Sequence, residues 1–346
     1  SVNIPPDLPT VGRVILTMYQ QSTGERLDGV VLIDPLALAR ILRVSGPINI
    51  HGVRLEADTL VQSILVHAYV RYPTDQDARR DFLGRVALQG VAAARRALGA
   101  RPIALVRALA DAVRGRHLQM YALDPAVERI VLQLGAGGTA KAPPVDDFLM
   151  PVGVNAAGNK VDTFLQRDLR YVVRLQSDGG ARVRASITLR NGAPARGLPR
   201  YVIGPFNRQF HAGENRILQS LYVADAYGFT RASRNGQRVR ARADQEFHGL
   251  ALTQAVSIPA GRSTTIEYDL VRKAAVQAED GRVRYRLLLR PQPTVNPDRL
   301  HVAISLPAGW HFVQVPAGFT NDRSAVRWSG LFDRERSLEF VLANKA

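Results

Sequence analysis

Arg71, Asp75, Asp77, Arg79, Arg80, Asp81 and Arg85 crowd into one short stretch of the chain. Arginine offers planar, forked donors that match phosphate oxygens. An aspartate can share a divalent cation with two phosphates. Asp77 and Arg80 are three residues apart, so on a helix they share a face, and Arg71 at the end of a preceding helix points to the same spot. In this reading Arg71, Arg79 and Arg80 clamp phosphate oxygens, and Asp77 holds Mg or orients an arginine. The plainer reading of the same residues is a solvated set of ion pairs at a helix–helix corner, each contributing little.

Other chemistries find less support. The seven histidines are scattered, and no two stand at metal-ligand spacing. There is no cysteine, which excludes disulfides, cysteine zinc sites and thiol nucleophiles. No G-x-S-x-G elbow or S-x-x-K motif occurs. Gly135-Ala-Gly-Gly follows a helical pattern and lacks a Lys-Ser/Thr end, so it reads as a linker, not a phosphate-cradling loop.

The charge balance points to anionic partners. Lys+Arg total 46 against 30 Asp+Glu, a net charge of +16, and the pI is near 10.8. Lysine occurs only at Lys141, Lys160, Lys273 and Lys345, so nearly all the positive charge is arginine. Such a chain attracts nucleic acid, anionic lipid, teichoic-type polymers or pyrophosphate-linked glycans. Nucleic acid is the weakest of these, because aromatics are 7% and no recognised module is present. No apolar run of about 18 residues appears. The opening Ser1-Val-Asn-Ile reads as a cut into a longer protein, with any export signal or anchor helix upstream.

The elements that must position these residues divide by periodicity. At 346 residues, two or three domains are expected. Residues 1–54 alternate strands (11–20 and 30–33) with a helix that Asp34 caps and Pro35 opens. A small hairpin over 48–55 turns at Gly52. Helical spacing runs over 58–72, 77–98, 102–116 and 125–134. Residues 135–144 form a Gly- and Pro-rich linker. Beyond it the period becomes 2, and strands are expected near 170–176, 181–190, 201–205, 215–222, 250–258, 263–271, 283–289, 300–305, 325–328 and 338–343. Turn signals such as Asn235-Gly, Pro259-Ala-Gly, Asp280-Gly and Pro307-Ala-Gly separate them. Short strands at this spacing argue for one or two β-sandwiches.

Two family resemblances sharpen this reading. Asp28-Gly-Val-Val-Leu-Ile-Asp34-Pro35-Leu-Ala-Leu-Ala-Arg40-Ile-Leu, followed by Ser45-Gly-Pro-Ile, resembles domain-of-unknown-function family 4012. Asn155-Ala-Ala-Gly-Asn159-Lys160-Val-Asp162 and Asn191-Gly-Ala-Pro resemble it too. These are uncharacterised, typically actinobacterial envelope proteins with an N-terminal membrane helix and the body outside the cell. A weaker resemblance reaches the LytR-CpsA-Psr family. It rests on Ile33-Asp34, Leu42 and Gly46-Pro47, then Tyr69-Val-Arg71 and Asp77-Ala-Arg79-Arg80; Leu83-Gly84 stands where that family has Arg-Gln. Those enzymes move a glycan from a polyprenyl-pyrophosphate lipid to peptidoglycan, using Mg and Arg/Asp side chains.

The expected fold is α/β plus all-β. A LytR-CpsA-Psr-like α/β domain, incomplete at its N-terminus, spans 1–134, and a linker and interdomain seam spans 135–165. A β-sandwich follows over 166–275, with a second sandwich or the completion of the first over 276–346. Asn159, Lys160 and Asp162 are expected to serve structure at the seam. The expected function is an extracytoplasmic envelope protein engaging a polyprenyl-pyrophosphate glycan or an anionic wall polymer, up to glycopolymer phosphotransfer with Mg. The alternative is a non-catalytic surface scaffold or wall-binding protein acting through its β-sandwiches. Membrane attachment would come only through a segment outside this chain.

Overall fold

A computed structural model of the chain describes residues 4–279, 282–322 and 324–344. It contains two compact units. The first comprises Ser1–Ala140, Gly158–Thr163 and Pro194–Gly213; the second comprises Lys141–Ala157, Phe164–Ala193 and Glu214–Ala346.

The first unit is mostly helical. It opens with α1 (Leu8–Thr23), β1 (Gly29–Ile33) and α2 (Pro35–Ser45), then the hairpin β2 (Ile48–Ile50) and β3 (Val53–Leu55). Next come α3 (Leu60–Gln62), a π-helical turn at Ser63–His67 and α4 (Ala68–Arg71). The long α5 (Gln76–Ala100), α6 (Pro102–Arg114), β4 (Leu118–Ala122) and α7 (Pro125–Gln133) follow. Asp34 caps α2, its Oδ1 accepting the Leu36 and Ala37 amides at 2.9 Å, and its Oδ2 lies 2.6 Å from His117 Nδ1. His51 and Gly52 both take positive φ, as a two-residue primed turn demands. Leu38, Ile41 and Leu42 of α2 pack on Phe82, Val86, Ala93 and Leu105. The packing is close enough that a Cβ on Gly90 would lie 2.6 Å from Leu38 Cδ1. β1 and β4 form a two-stranded antiparallel sheet.

Residues 11–20, read as a strand, belong to α1. Asp7 accepts the Thr10 amide at 3.1 Å and a proline occupies the first turn. Leu8, Val11, Gly12 and Leu16 make a buried stripe at helical spacing. Capping and a 3.6-residue period outweigh the β-branched composition. Residues 135–144 hold no regular element, yet Ala136, Ala140 and Ala142 are buried. Buried Arg116 donates to the carbonyls of Gly138 and Thr139, and Asp7 Oδ1 accepts the Ala140 amide. The glycines there permit packing, not solvated flexibility.

The second unit is built from two large sheets. Its strands are β5 (Asp147–Asn155), β6 (Leu165–Leu175), β7 (Ala181–Asn191), β8 (Asn215–Ala224), β9 (Tyr227–Arg234), β10 (Gln237–Val239), β11 (Arg242–Glu246) and β12 (Gly249–Ile258). They continue with β13 (Ser263–Arg272), β14 (Gln277–Glu279), β15 (Arg282–Leu289), β16 (Asp298–Ser305), β17 (Trp310–Gln314), β18 (Thr320–Asp322), β19 (Ala325–Phe332) and β20 (Arg336–Asn344). One sheet runs β10-β9-β13-β7-β6-β16-β19-β18. The other runs β11-β12-β8-β5-β15-β20-β17, with β14 beside β15. Most pairings are antiparallel, but β6–β16 and β5–β15 are parallel. Strands from 282 onward therefore extend both sheets begun by earlier ones. The expected turn at Asp280-Gly281 lies outside the described residues. Residues 201–205, read as a strand, instead form the short helix α8 (Arg200–Ile203) of the first unit. Pro199 precedes α8, and Pro205 has no amide N–H for a ladder. The chain thus joins a helical α/β part to a sheet-rich part.

A buried carboxylate ties the two sheets together. Asp147 of β5 is fully buried and accepts from Tyr171 (2.9 and 3.0 Å), Tyr227 (2.8 Å) and Tyr285 (2.5 Å). Tyr171 and Tyr227 come from one sheet and Tyr285 from the other. Nearby, Arg167 grips Asp298 through two bonds of 2.7 and 2.8 Å and donates to Gln292, which exchanges two bonds with the Gly153 backbone.

Burial pushes the Asp147 carboxyl above its ordinary value of 3.8, and the phenol donors and Arg272 pull it back only in part. Burial, reinforced by the Asp147 charge, raises all three tyrosines well above 10. An acid with a raised folded pKa stabilises fully below its unfolded value, and that contribution is lost as pH rises through the folded one. Asp147→Asn should therefore show its largest stability deficit below pH 3.8, shrinking as pH rises; denaturant titration across pH checks the sign. Asp147→Ala strands three buried phenol donors and should cost about 3–5 kcal/mol.

Candidate functional site

The arginine cluster sits where α4 meets α5 in the first unit. The π-helical turn resets the helical register just before Tyr69 and Arg71. Asp75 caps α5 by accepting the Ala78 amide at 2.9 Å, and Asp77, Arg79 and Arg80 fall in its first turns. Segments distant in sequence complete the corner: Lys160 from 158–163 and Arg200, Tyr201 and Phe206 from 194–213.

Arg79 is buried, with 5% of its surface exposed. Its Nη1 donates to the Tyr72 carbonyl at 2.8 Å. Its guanidinium carbon lies 4.9 Å from the Tyr69 ring centre and 4.5 Å from that of Tyr201. Those two rings stack at 5.1 Å with 19° between their planes. The Lys160 ammonium lies 5.6 Å from the Tyr69 ring, and Phe206 meets Tyr201 edge-on at 5.6 Å. Arg200 donates to the Pro205 and Phe206 carbonyls. A cation so enclosed by ring faces is held by desolvated cation–π attraction.

The other predicted residues lie outside this cage. Arg71 is exposed, 5.8 Å from the Tyr72 ring centre. Asp77 and Arg80 have side chains 95% and 76% exposed and meet at 3.5 Å. One turn further, the Arg85 Nε–H is shared between the two oxygens of Asp81, at 2.8 and 3.1 Å, and Asp81 lies 2.9 Å from His51 Nε2. Arg85, then His51, hold its carboxyl below the ordinary value. His51, Asn49, Arg85 and Leu88 line a cleft of about 170 Å³ beside it. The structure therefore gathers Arg71, Asp77, Arg79 and Arg80 at one corner but divides them. Arg79 faces inward, while Arg71, Asp77 and Arg80 face solvent.

Mg commonly rests on one or two carboxylates plus phosphate oxygens. Among the described residues no three His, Asp or Glu side chains cluster to hold a metal ion, and the Asp77 carboxylate faces Arg80.

The aromatic cage was not legible locally. Tyr201 and Phe206 are far along the chain and belong to a stretch whose β-like composition masks α8. The Arg79 spacing is the same whether it faces a ligand or a ring.

Residues 1–69 match the family model described as Protein of unknown function (DUF4012), so that resemblance holds over the N-terminal segment. No curated protein matches the sequence. Among solved structures, the chain is similar to a putative nutrient binding protein from Legionella pneumophila at 10% identity and TM-score 0.35, covering 57% of this chain and 71% of that one. Yeast LTA4 hydrolase follows at 9% and 0.31, covering 51% and 28%. An M1 zinc metallopeptidase from Deinococcus radiodurans follows at 13% and 0.27, covering 52% and 42%. The chain spans less than half the length of either of these last two, and at these TM-scores the likenesses carry no functional argument.

Removing the Arg79 guanidinium takes away a charged hydrogen bond and two ring contacts. Arg79→Ala should lower stability by about 2–4 kcal/mol, with Arg79→Lys between it and the parent because an ammonium cannot stack as a plane. Arg80→Ala should change stability by less than about 0.5 kcal/mol. Thermal melts of the three variants check the order.

Proposed function

We propose that the protein is an extracytoplasmic envelope protein that binds an anionic or pyrophosphate-linked wall glycan without transferring it. The observation that carries this reading is the division of the arginine cluster. A phosphotransferase of the LytR-CpsA-Psr kind would turn Arg71, Arg79, Arg80 and Asp77 onto one pyrophosphate. Here Arg79 is consumed by Tyr69, Tyr201 and the Tyr72 carbonyl. Arg71 and Arg80 remain as solvent-facing cations, Arg80 beside Asp77. Such groups attract phosphate from solution but do not enclose it, and enclosure with preorganised charge is what accelerates phosphoryl transfer.

The two sheets of the second unit are read as the layers of a continuous β-sandwich, a reading supported by the tyrosines from both that share Asp147. Among the described residues no helix is long and apolar enough to cross a membrane. The proposed surface location rests on the family resemblance.

Isothermal titration with a short polyprenyl pyrophosphate, with and without Mg, tests the reading. Binding should weaken about tenfold in the Arg71→Ala/Arg80→Ala variant, equivalent to about 1.4 kcal/mol, with no release of free lipid phosphate in the presence of an acceptor glycan. Affinity indifferent to both arginines, or turnover with Mg, overturns it.

A further inference from the structure

The outward face of the sheet containing β6, β7 and β16 is lined with arginine. Along these strands buried and exposed residues alternate, and Arg174, Arg182, Arg190, Arg299 and Arg327 are all on the exposed side. Among the described residues none of these five makes an ion pair. Arg170 and Arg184 on the same face do, with Asp168 and Asp269.

Arg174 and Arg182 stand directly opposite each other in the β6–β7 register. Like charges so placed destabilise a strand pair. Asp269, one strand further, is tied to Arg184 at 2.8 Å and does not relieve them. These residues, with Thr230, line a cleft of about 370 Å³. A second cleft of about 380 Å³ lies toward the other end of the strands, between Arg190 and Arg299, with Gln166, Thr188 and the carboxylate of Asp168 as polar neighbours, the last of these paired with Arg170 and His301. Arg182 and Arg190 are about 27 Å apart along β7 at roughly 3.4 Å per residue.

We infer that this sheet face is a binding surface for an extended, phosphate-bearing glycan polymer, seated across the two arginine clefts. The charge is complementary, and the two free oxygens of a phosphodiester can each accept from one of the two unpaired guanidiniums opposed across the strand pair, with the repeated phosphates of a polymer reaching both clefts. Single-stranded nucleic acid fits less well. The outward positions of β6, β7, β13 and β16 include no Phe, Tyr or Trp on which a base could stack. That the polymer is a wall glycan rests on the envelope reading proposed above; the surface itself belongs to the second unit and uses neither Arg71 nor Arg80.

The test uses the full chain and three polymers: a poly(glycerol phosphate) teichoic oligomer, polygalacturonate and single-stranded DNA. The parent should bind the phosphate polymer tightest, with affinity falling as salt rises. Arg182→Glu should weaken that binding at least tenfold and, by turning a repulsive cross-strand pair into an attractive one, raise the polymer-free melting temperature by about 1–3 °C. Arg299→Glu, in the other cleft, should also weaken binding. Unchanged affinity in folded Arg182→Glu and Arg299→Glu overturns the inference, as does tighter binding of DNA or polygalacturonate. The arginine corner is probed separately with polyprenyl pyrophosphate, so either reading can fail alone.

Discussion

A single buried carboxylate, Asp147, fixes how the sheet-rich unit is assembled. Taking an acid out of water is expensive unless its lone pairs are satisfied. Tyr171, Tyr227 and Tyr285 supply that satisfaction from both sheets, and Arg272, which donates to the Val145 and Asp146 carbonyls, contributes charge from the approach to β5. A sheet slipped by one residue would turn its tyrosine away from Asp147. The carboxylate therefore reports on registry as much as on stability, a role that buried polar groups are known to serve. Arg167, Asp298 and Gln292 repeat the device on the neighbouring strands.

The same logic explains the chain's preference for arginine over lysine. Arg79, Arg167, Arg272 and Arg290 are all buried, each satisfied by carbonyls, carboxylates or ring faces that a planar fork can reach and an ammonium cannot match. A large positive charge is thus partly architectural. Other arginines lie outside, Arg71 and Arg80 and those across the β6–β7–β16 face among them. A rigid sheet makes that remainder more useful, since charges on strands hold fixed spacings that loops do not.

Much of the scaffold was legible in the sequence because it follows local rules. Asp34-Pro35 announced α2, Gly52 the hairpin, and alternation most of the long strands. Failures came where one local signal opposed another. Val11, Val14 and Ile15 suggest a strand, but Asp7 and the buried stripe through Leu16 decide for α1. β5 was hidden because Phe148, Leu149 and Met150 are buried together without alternation, the pattern of a strand covered on both faces. The candidate site was half legible. Spacing correctly placed Asp77 and Arg80 on one helical face, but no local signal could assign Arg79 to Tyr201, because that contact exists only after the chain has folded back.

The parallel pairings β5–β15 and β6–β16 have a consequence for how the protein is made. On the ribosome, β5 through β13 emerge first and can pair among themselves, yet β5 and β6 each keep one side without a neighbour until β15 and β16 arrive. During that interval the nascent chain presents two hydrogen-bonding edges, one of them on β5 beside an Asp147 that still lacks its Tyr285 donor, the kind of edge that recruits strands from other molecules. Closure waits on contacts more than a hundred residues apart in sequence, which makes it slow. Early release or truncation before β15 would leave a sticky half-sheet, so the last strands act as the molecule's own protection against aggregation.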